Sequence, residues 1–152
     1  MLLALAVWLG ALIFFPIVAQ TAFAGLSPHP AALVVRGSLL KLHWMAFPCG
    51  ILFLGASLVY NRIVLGRTRV LSASHLLIVS MLALTAISQF RIIPRMESLR
   101  IAAGEISALP SSDPIRAQFG ALHAWSTKIE GRVLVFGLVV LYLTSRRLAD
   151  RN

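Results

Sequence analysis

The chain has 152 residues, one domain's worth, yet 59% of it is hydrophobic and only 12% charged, with a mean hydropathy of +0.87. That balance excludes disorder and a water-soluble nucleic-acid-binding domain, and a single cysteine excludes an intrachain disulfide framework. The net charge of +9 therefore reads as a membrane-surface property, with Arg62, Arg67, Arg69, Arg146, Arg147 and Arg151 at the edges of apolar runs where anionic lipid headgroups lie.

The first apolar run covers residues 2–26. Ala22-Phe23-Ala24 would suit a signal peptidase, but no Lys or Arg precedes the run and its apolar part is longer than a signal core needs, so it is kept as the first helix. Ser27-Pro28-His29-Pro30 reads as a loop, because prolines remove backbone donors and disfavour a helical residue before them. A second helix is expected over about 38–60, with a kink at Pro48 that a bilayer tolerates. Residues 61–69 form a basic turn. The third helix, about 70–90, carries small hydroxyl residues that let helices approach closely in lipid.

Behind Pro94, residues Met96, Leu99, Ala103, Ile106 and Leu109 recur at helical spacing opposite Glu97, Arg100 and Glu105, which predicts a short interfacial helix over about 94–108. Asp113 then serves as N-cap, with Pro114 at the first helical position. The uninterrupted run 114–147 would extend about 50 Å, against a hydrocarbon core of roughly 30 Å, so its first turns must rise above the bilayer or tilt. The expected architecture is thus all-α: an integral membrane, up-down four-helix bundle forming a single transmembrane domain over 1–152. It is multi-pass in the cell membrane with cytoplasmic termini.

Antiparallel packing brings the polar residues of all four helices to one end. Helices one and three end in Gln20 and Thr21 and in Ser88, Gln89 and Arg91, while helices two and four begin with Arg36, Lys41 and His43 and with His123, Ser126, Lys128, Glu130 and Arg132. Ionisable groups at membrane depth are costly unless they pair or face a wet cavity. His123, Ser126 and Glu130 share one helical face; Arg91, Lys41 or His43 lie at the depth needed to supply a cation to Glu130, and Glu97 or Glu105 to counter Arg36. The functional reading is a polar binding or permeation site, built from His123, Ser126, Glu130, His43, Gln20, Gln89, Arg91 and Lys41, with His123 and Glu130 as a proton- or cation-responsive pair. The plain alternative is a structural network in which these groups satisfy one another.

Two further readings stay open. Arg36, Leu42 and His43 have the same spacing as Arg116, Leu122 and His123, a hint of a repeat that would set His43 opposite His123 at equal depth, where a haem or a metal could be held. An accessory role is the other, with a membrane-protein partner or a second copy of the chain beside the lipid bilayer. No phosphate loop, nucleophile elbow or catalytic carboxylate pair occurs, so enzymatic activity is not expected and no catalytic residue is assigned.

Phe119-x-x-x-His123-x-x-Ser126, preceded by Asp113-Pro114 and Pro94-Arg95, resembles the transmembrane protein 205-like family, which bacteria also carry as a domain of unknown function. Trp8, Gly10 and the apolar run after Gly37 are similar as well. The resemblance implies a four-helix membrane protein with His123 and Ser126 as signature residues. Glu130 stands where members often have Asn, which makes this site more acidic.

Overall fold

The computed structural model describes residues 1–65 and 72–149. The chain forms α1 (Leu2–Gly25), α2 (Pro28–Leu65), α3 (Ala73–Ile87), a π-helical turn (Ser88–Ile92), α4 (Ile93–Ala103), a 3-10 turn (Ile106–Ala108) and α5 (Pro114–Ala149), with no strand among the described residues. Three helical stretches are long and apolar enough to cross a membrane: Leu2–Gly25, Pro28–Val64 and Ala73–Ala103. α5 is not among them. Lys128, Glu130 and Arg132 on one side and Arg146 and Arg147 on the other leave it only a short uncharged stretch.

The expected loop over Ser27–Pro30 is corrected by the structure: α2 starts at Pro28, ten residues before the expected boundary. Both prolines lie in the first turn, where backbone N–H groups have no intrahelical acceptor and nothing is lost. At its other end α2 continues through Asn61 and Arg62 to Leu65, past the point where a basic turn was expected; Arg67, Arg69 and Val70 lie outside the described residues.

The separate helix expected behind Pro94 is instead a continuation of α3. Proline has no N–H, and its ring crowds the carbonyl one turn earlier. The π turn absorbs both problems by widening the helix just before it, with Ile93 N–H bonding to Ser88 O. α4 ends at Gly104, whose φ of 71° is open to glycine and strained for other residues. The predicted 94–108 helix thus breaks after Ala103. At α5 the expected cap is present: Asp113 Oδ1 accepts from Ile115 N–H at 2.7 Å and from Arg116 N–H at 3.4 Å.

α1 and α3 each pack against both α2 and α5, and α4 packs on α5. The core between them holds Leu5, Trp8 and Leu9 of α1, Ala46 and Phe53 of α2, Ile78 and Met81 of α3, and Val133 and Val140 of α5. Approach is closest at Gly137, where an added Cβ would collide with Leu9, and at Gly50, where it would meet Leu82. Two contacts fix the α2/α5 register: His43 meets Glu130 and Asn61 meets Arg147. These pairs are separated by 87 and 86 residues, so α2 and α5 run parallel. Large apolar side chains such as Ile51, Leu52, Ile63, Val79 and Val135 point outward, as lipid-facing residues do.

Candidate functional site

His43 is the centre of the polar end. It leaves α2 about 22 Å from that helix's first residue and is fully buried. Its Nδ1 lies 3.0 Å from Gln89 Oε1 in the π turn, and its Nε2 lies 2.7 Å from Glu130 Oε1 on α5. An amide oxygen only accepts, so Nδ1 carries a proton and donates to Gln89. One proton then lies between Nε2 and Glu130: either the imidazolium donates to a carboxylate or the carboxylic acid donates to a neutral ring. In both forms the pair is neutral overall. The second oxygen, Glu130 Oε2, is buried without a hydrogen-bond partner.

Glu130 lines a cavity of about 600 Å³ enclosed by α1, α2, α4 and α5. Its walls are mainly apolar, from Leu12 and Phe15 of α1, Leu39 of α2, Met96 of α4, and Phe119 and Leu134 of α5. Polar groups gather about two helical turns farther from the core, where Gln20, Arg36, Glu97, Arg100 and His123 reach the same cavity. There Arg36 Nε contacts Glu97 Oε2 at 3.2 Å, and Arg100 grips the same carboxylate through Nε at 3.0 Å and Nη2 at 2.7 Å. Two guanidiniums thus share one carboxylate, and the ring carries surplus positive charge.

The structure brings His43, Gln89 and Glu130 together by hydrogen bonds, and Ser126, His123 and Gln20 onto the cavity wall. Of the three residues at matching depth, His43 is the partner that Glu130 takes, and Glu97 supplies the expected counter-charge to Arg36. Lys41 and Arg91 are exposed and do not line the cavity. His123 is also exposed. It sits seven residues before Glu130, about 10 Å along α5, so the expectation that His43 and His123 share one depth is corrected, although His123 does line the cavity. The offset also argues against the haem or metal reading, and so does the engagement of both His43 ring nitrogens, which leaves neither free as a ligand. Among the described residues no group of three His, Cys, Asp or Glu is placed to hold a metal.

Sequence reasoning put Arg100 on the polar face with Glu97 but not at the site, and it missed the size of a second polar cluster at the opposite end. There Ser57, Asn61, His75 and Thr144 are all buried, Arg147 Nη2 donates to Asn61 Oδ1, and Ser72 Oγ is 2.6 Å from His75 Nδ1. A signal for the α2 part was present: Leu42, Ala46, Cys49, Phe53, Ser57 and Asn61 follow at three- and four-residue steps and form one buried stripe.

A family described as a domain of unknown function (DUF4149) matches residues 3–105, more than half of the chain. The chain belongs to that family. No curated protein and no solved structure matches it.

Proposed function

We propose, with that membership as premise, that the protein is a four-helix, multi-pass membrane protein whose cavity is a small-molecule binding site governed by the proton shared between His43 and Glu130. The observation that carries this is the fully buried His43 held at 2.7 Å from Glu130, with Glu130 Oε2 facing no protein donor. Buried ionisable groups that serve only structure normally have their hydrogen-bonding capacity filled. Here Glu130 Oε2 is buried with no hydrogen-bond partner, on a residue that lines the cavity. Loss of the shared proton would leave a carboxylate facing a neutral ring nitrogen, so proton binding and cavity occupancy are linked.

α1, α2, α3 with its α4 continuation, and α5 are the four crossings in this reading, arranged up and down. The proposed placement is the cell membrane, with both termini on the cytoplasmic side. The likeness to the transmembrane protein 205-like family is part of the same proposal. It is supported by the arrangement of Phe119 and the two signature residues, His123 and Ser126, along one cavity wall. The apolar plug of Phe53, Met81, Val133 and Val140 beyond the His43 level favours binding over open permeation.

The test is modification by a hydrophobic carbodiimide, which reacts with protonated carboxyl groups in apolar surroundings. Protein in lipid nanodiscs is treated across a pH series and read by peptide mass. Glu130 is expected to be labelled, with a pH midpoint that moves when His43 is replaced by Gln. An unlabelled Glu130 at every pH, or a midpoint indifferent to His43, rejects the shared-proton site.

A further inference from the structure

α1 and α5 approach closely at Leu9 and Gly137 and part towards the polar end. Leu9 packs on Gly137 so tightly that an added Cβ would collide with it, yet between Leu12 and Ala22 no residue of α1 is buried. The cavity fills the space this leaves, and it opens sideways: Pro16, Gln20 and Phe23 of α1 and His123, Thr127 and Gly131 of α5 line it and are themselves exposed. On each helix these residues follow at three- and four-residue steps, so they form two facing rims. Gly131 keeps the gap clear, since a Cβ there would meet nothing within 4 Å. The lining residues of α2 and α4 are all buried or half-buried. The α1/α5 gap is thus the cavity's opening on the flank of the bundle, the side that faces lipid when the bundle spans a bilayer.

At the outer end of this gap Arg36 and Arg100 share a single carboxylate, Glu97, and the trio is positive by one charge. Arg100 commits Nε and Nη2 to Glu97, whereas Arg36 reaches it through Nε and is 40% exposed, so its guanidinium retains donors for a further partner. A cation is repelled here, and a neutral apolar molecule leaves those donors unanswered; an oxyanion such as a phosphate meets both guanidiniums. The depth agrees with a lipid. Arg36 lies seven residues outward of His43 on α2, and Leu134 four residues inward of Glu130, the partner of His43, on α5. The ring therefore stands about 16 Å above the inner end of the cavity, about one leaflet's share of a hydrocarbon core of roughly 30 Å.

We propose that the cavity holds an anionic phospholipid of the surrounding bilayer. The headgroup phosphate lies on Arg36 and Arg100, one acyl chain passes between the α1 and α5 rims to rest against Phe15 and Leu134, and the second chain stays in the bilayer. This names the occupant of the binding site proposed above and rests on the cavity being such a site, but it uses the guanidinium ring and the lateral gap and asks nothing of the His43–Glu130 proton.

The probes are phosphatidylglycerol and phosphatidylcholine carrying the same mid-chain diazirine, each at the same low fraction in phosphatidylcholine nanodiscs that hold the protein. After irradiation, peptide mass gives the ratio of adducts on the cavity wall, at Phe15 and Leu134, to adducts on the outward-facing Ile51, Leu52 and Val79. That ratio is expected to be about fivefold higher for phosphatidylglycerol, the factor for one surplus positive charge facing an anionic lipid. Arg36→Gln should bring the two probes together, and Gly131→Leu, which places a side chain in the gap, should lower the ratio for both. The proposal is overturned if the two probes give the same ratio on unaltered protein, if neither labels the cavity wall, or if a diazirine fatty acid labels it where phosphatidylglycerol does not. The probe comparison is made on unaltered protein, so it stands even where a variant fails to fold. Carbodiimide labelling of Glu130 with no preference for phosphatidylglycerol would reject the lipid and leave the shared-proton site intact; the reverse result would keep the lipid and reject the shared proton.

Discussion

An imidazole and a carboxylate buried together are tolerable only while both are present, because removing one leaves the other's charge or lone pair without compensation. His43→Leu is therefore expected to destabilise the protein by about 3–5 kcal/mol, read as a lowered thermal midpoint in detergent. His43→Leu combined with Glu130→Leu should recover much of the loss. If the double variant is as unstable as the sum of the two singles, the contact does not couple these residues. Glycines supply an independent check on the packing. Gly137→Ala would push Cβ into Leu9 and Met81 and should cost about 1–3 kcal/mol, whereas Gly131→Ala meets nothing within 4 Å and should be neutral or mildly stabilising. Equal effects at the two positions would contradict the close α1/α5 approach. At this scale the sequence made the site's membership legible through cost: His43, Gln89 and Glu130 stood out as polar groups in apolar runs. The register between helices was not legible, so the sequence could not single out His43 on α2 as the residue that meets Glu130.

Element boundaries depended on whether a breaker residue cost a hydrogen bond in its setting. Pro28 and Pro30 look like a loop in isolation, yet in a first turn they cost nothing. Pro94 looks like a fresh start, yet a widened turn carries the helix through it. Asp113-Pro114 was correctly read because its chemistry is local: the side chain caps the very next turn. Asp113→Ala is expected to lower stability by about 1 kcal/mol, with Asp113→Ser close to wild type. Should Ala and Ser behave alike, the cap bond has no energetic role. Shortening the π turn by deleting one residue within Ser88–Ile92 would rotate α4 by about 100° and carry Glu97 away from Arg36. Arg36→Gln would then have no further effect on stability in the deletion background, an outcome that a double-mutant comparison measures.

For the whole molecule, the register between helices bears on the path of α5 more than hydropathy does. Judged alone, α5 fails as an apolar span because charges stand at Lys128, Glu130 and Arg132. But His43 meets Glu130 and Asn61 meets Arg147 along parallel helices, so α5 accompanies α2 over the stretch from His43 to Asn61, about 27 Å of rise and close to a hydrocarbon core of roughly 30 Å. In the proposed reading α5 therefore crosses where α2 crosses, with α1 and α3 packed against both. Glu130 escapes the hydrocarbon by pairing with His43, Lys128 by lying over the Trp125 ring at 5.6 Å, an interfacial arrangement. Cysteine accessibility tests this directly, since Cys49 is buried and gives little background. Ser111→Cys and Ser145→Cys, at opposite ends of α5, are expected to react with a membrane-impermeant maleimide from opposite sides, with Ser145→Cys reacting from the same side as Arg62→Cys. Three crossings would instead put Ser111 and Ser145 on one side and separate Ser145 from Arg62. That pattern would detach α5 from α2, and with it the His43–Glu130 pair and the cavity built on it.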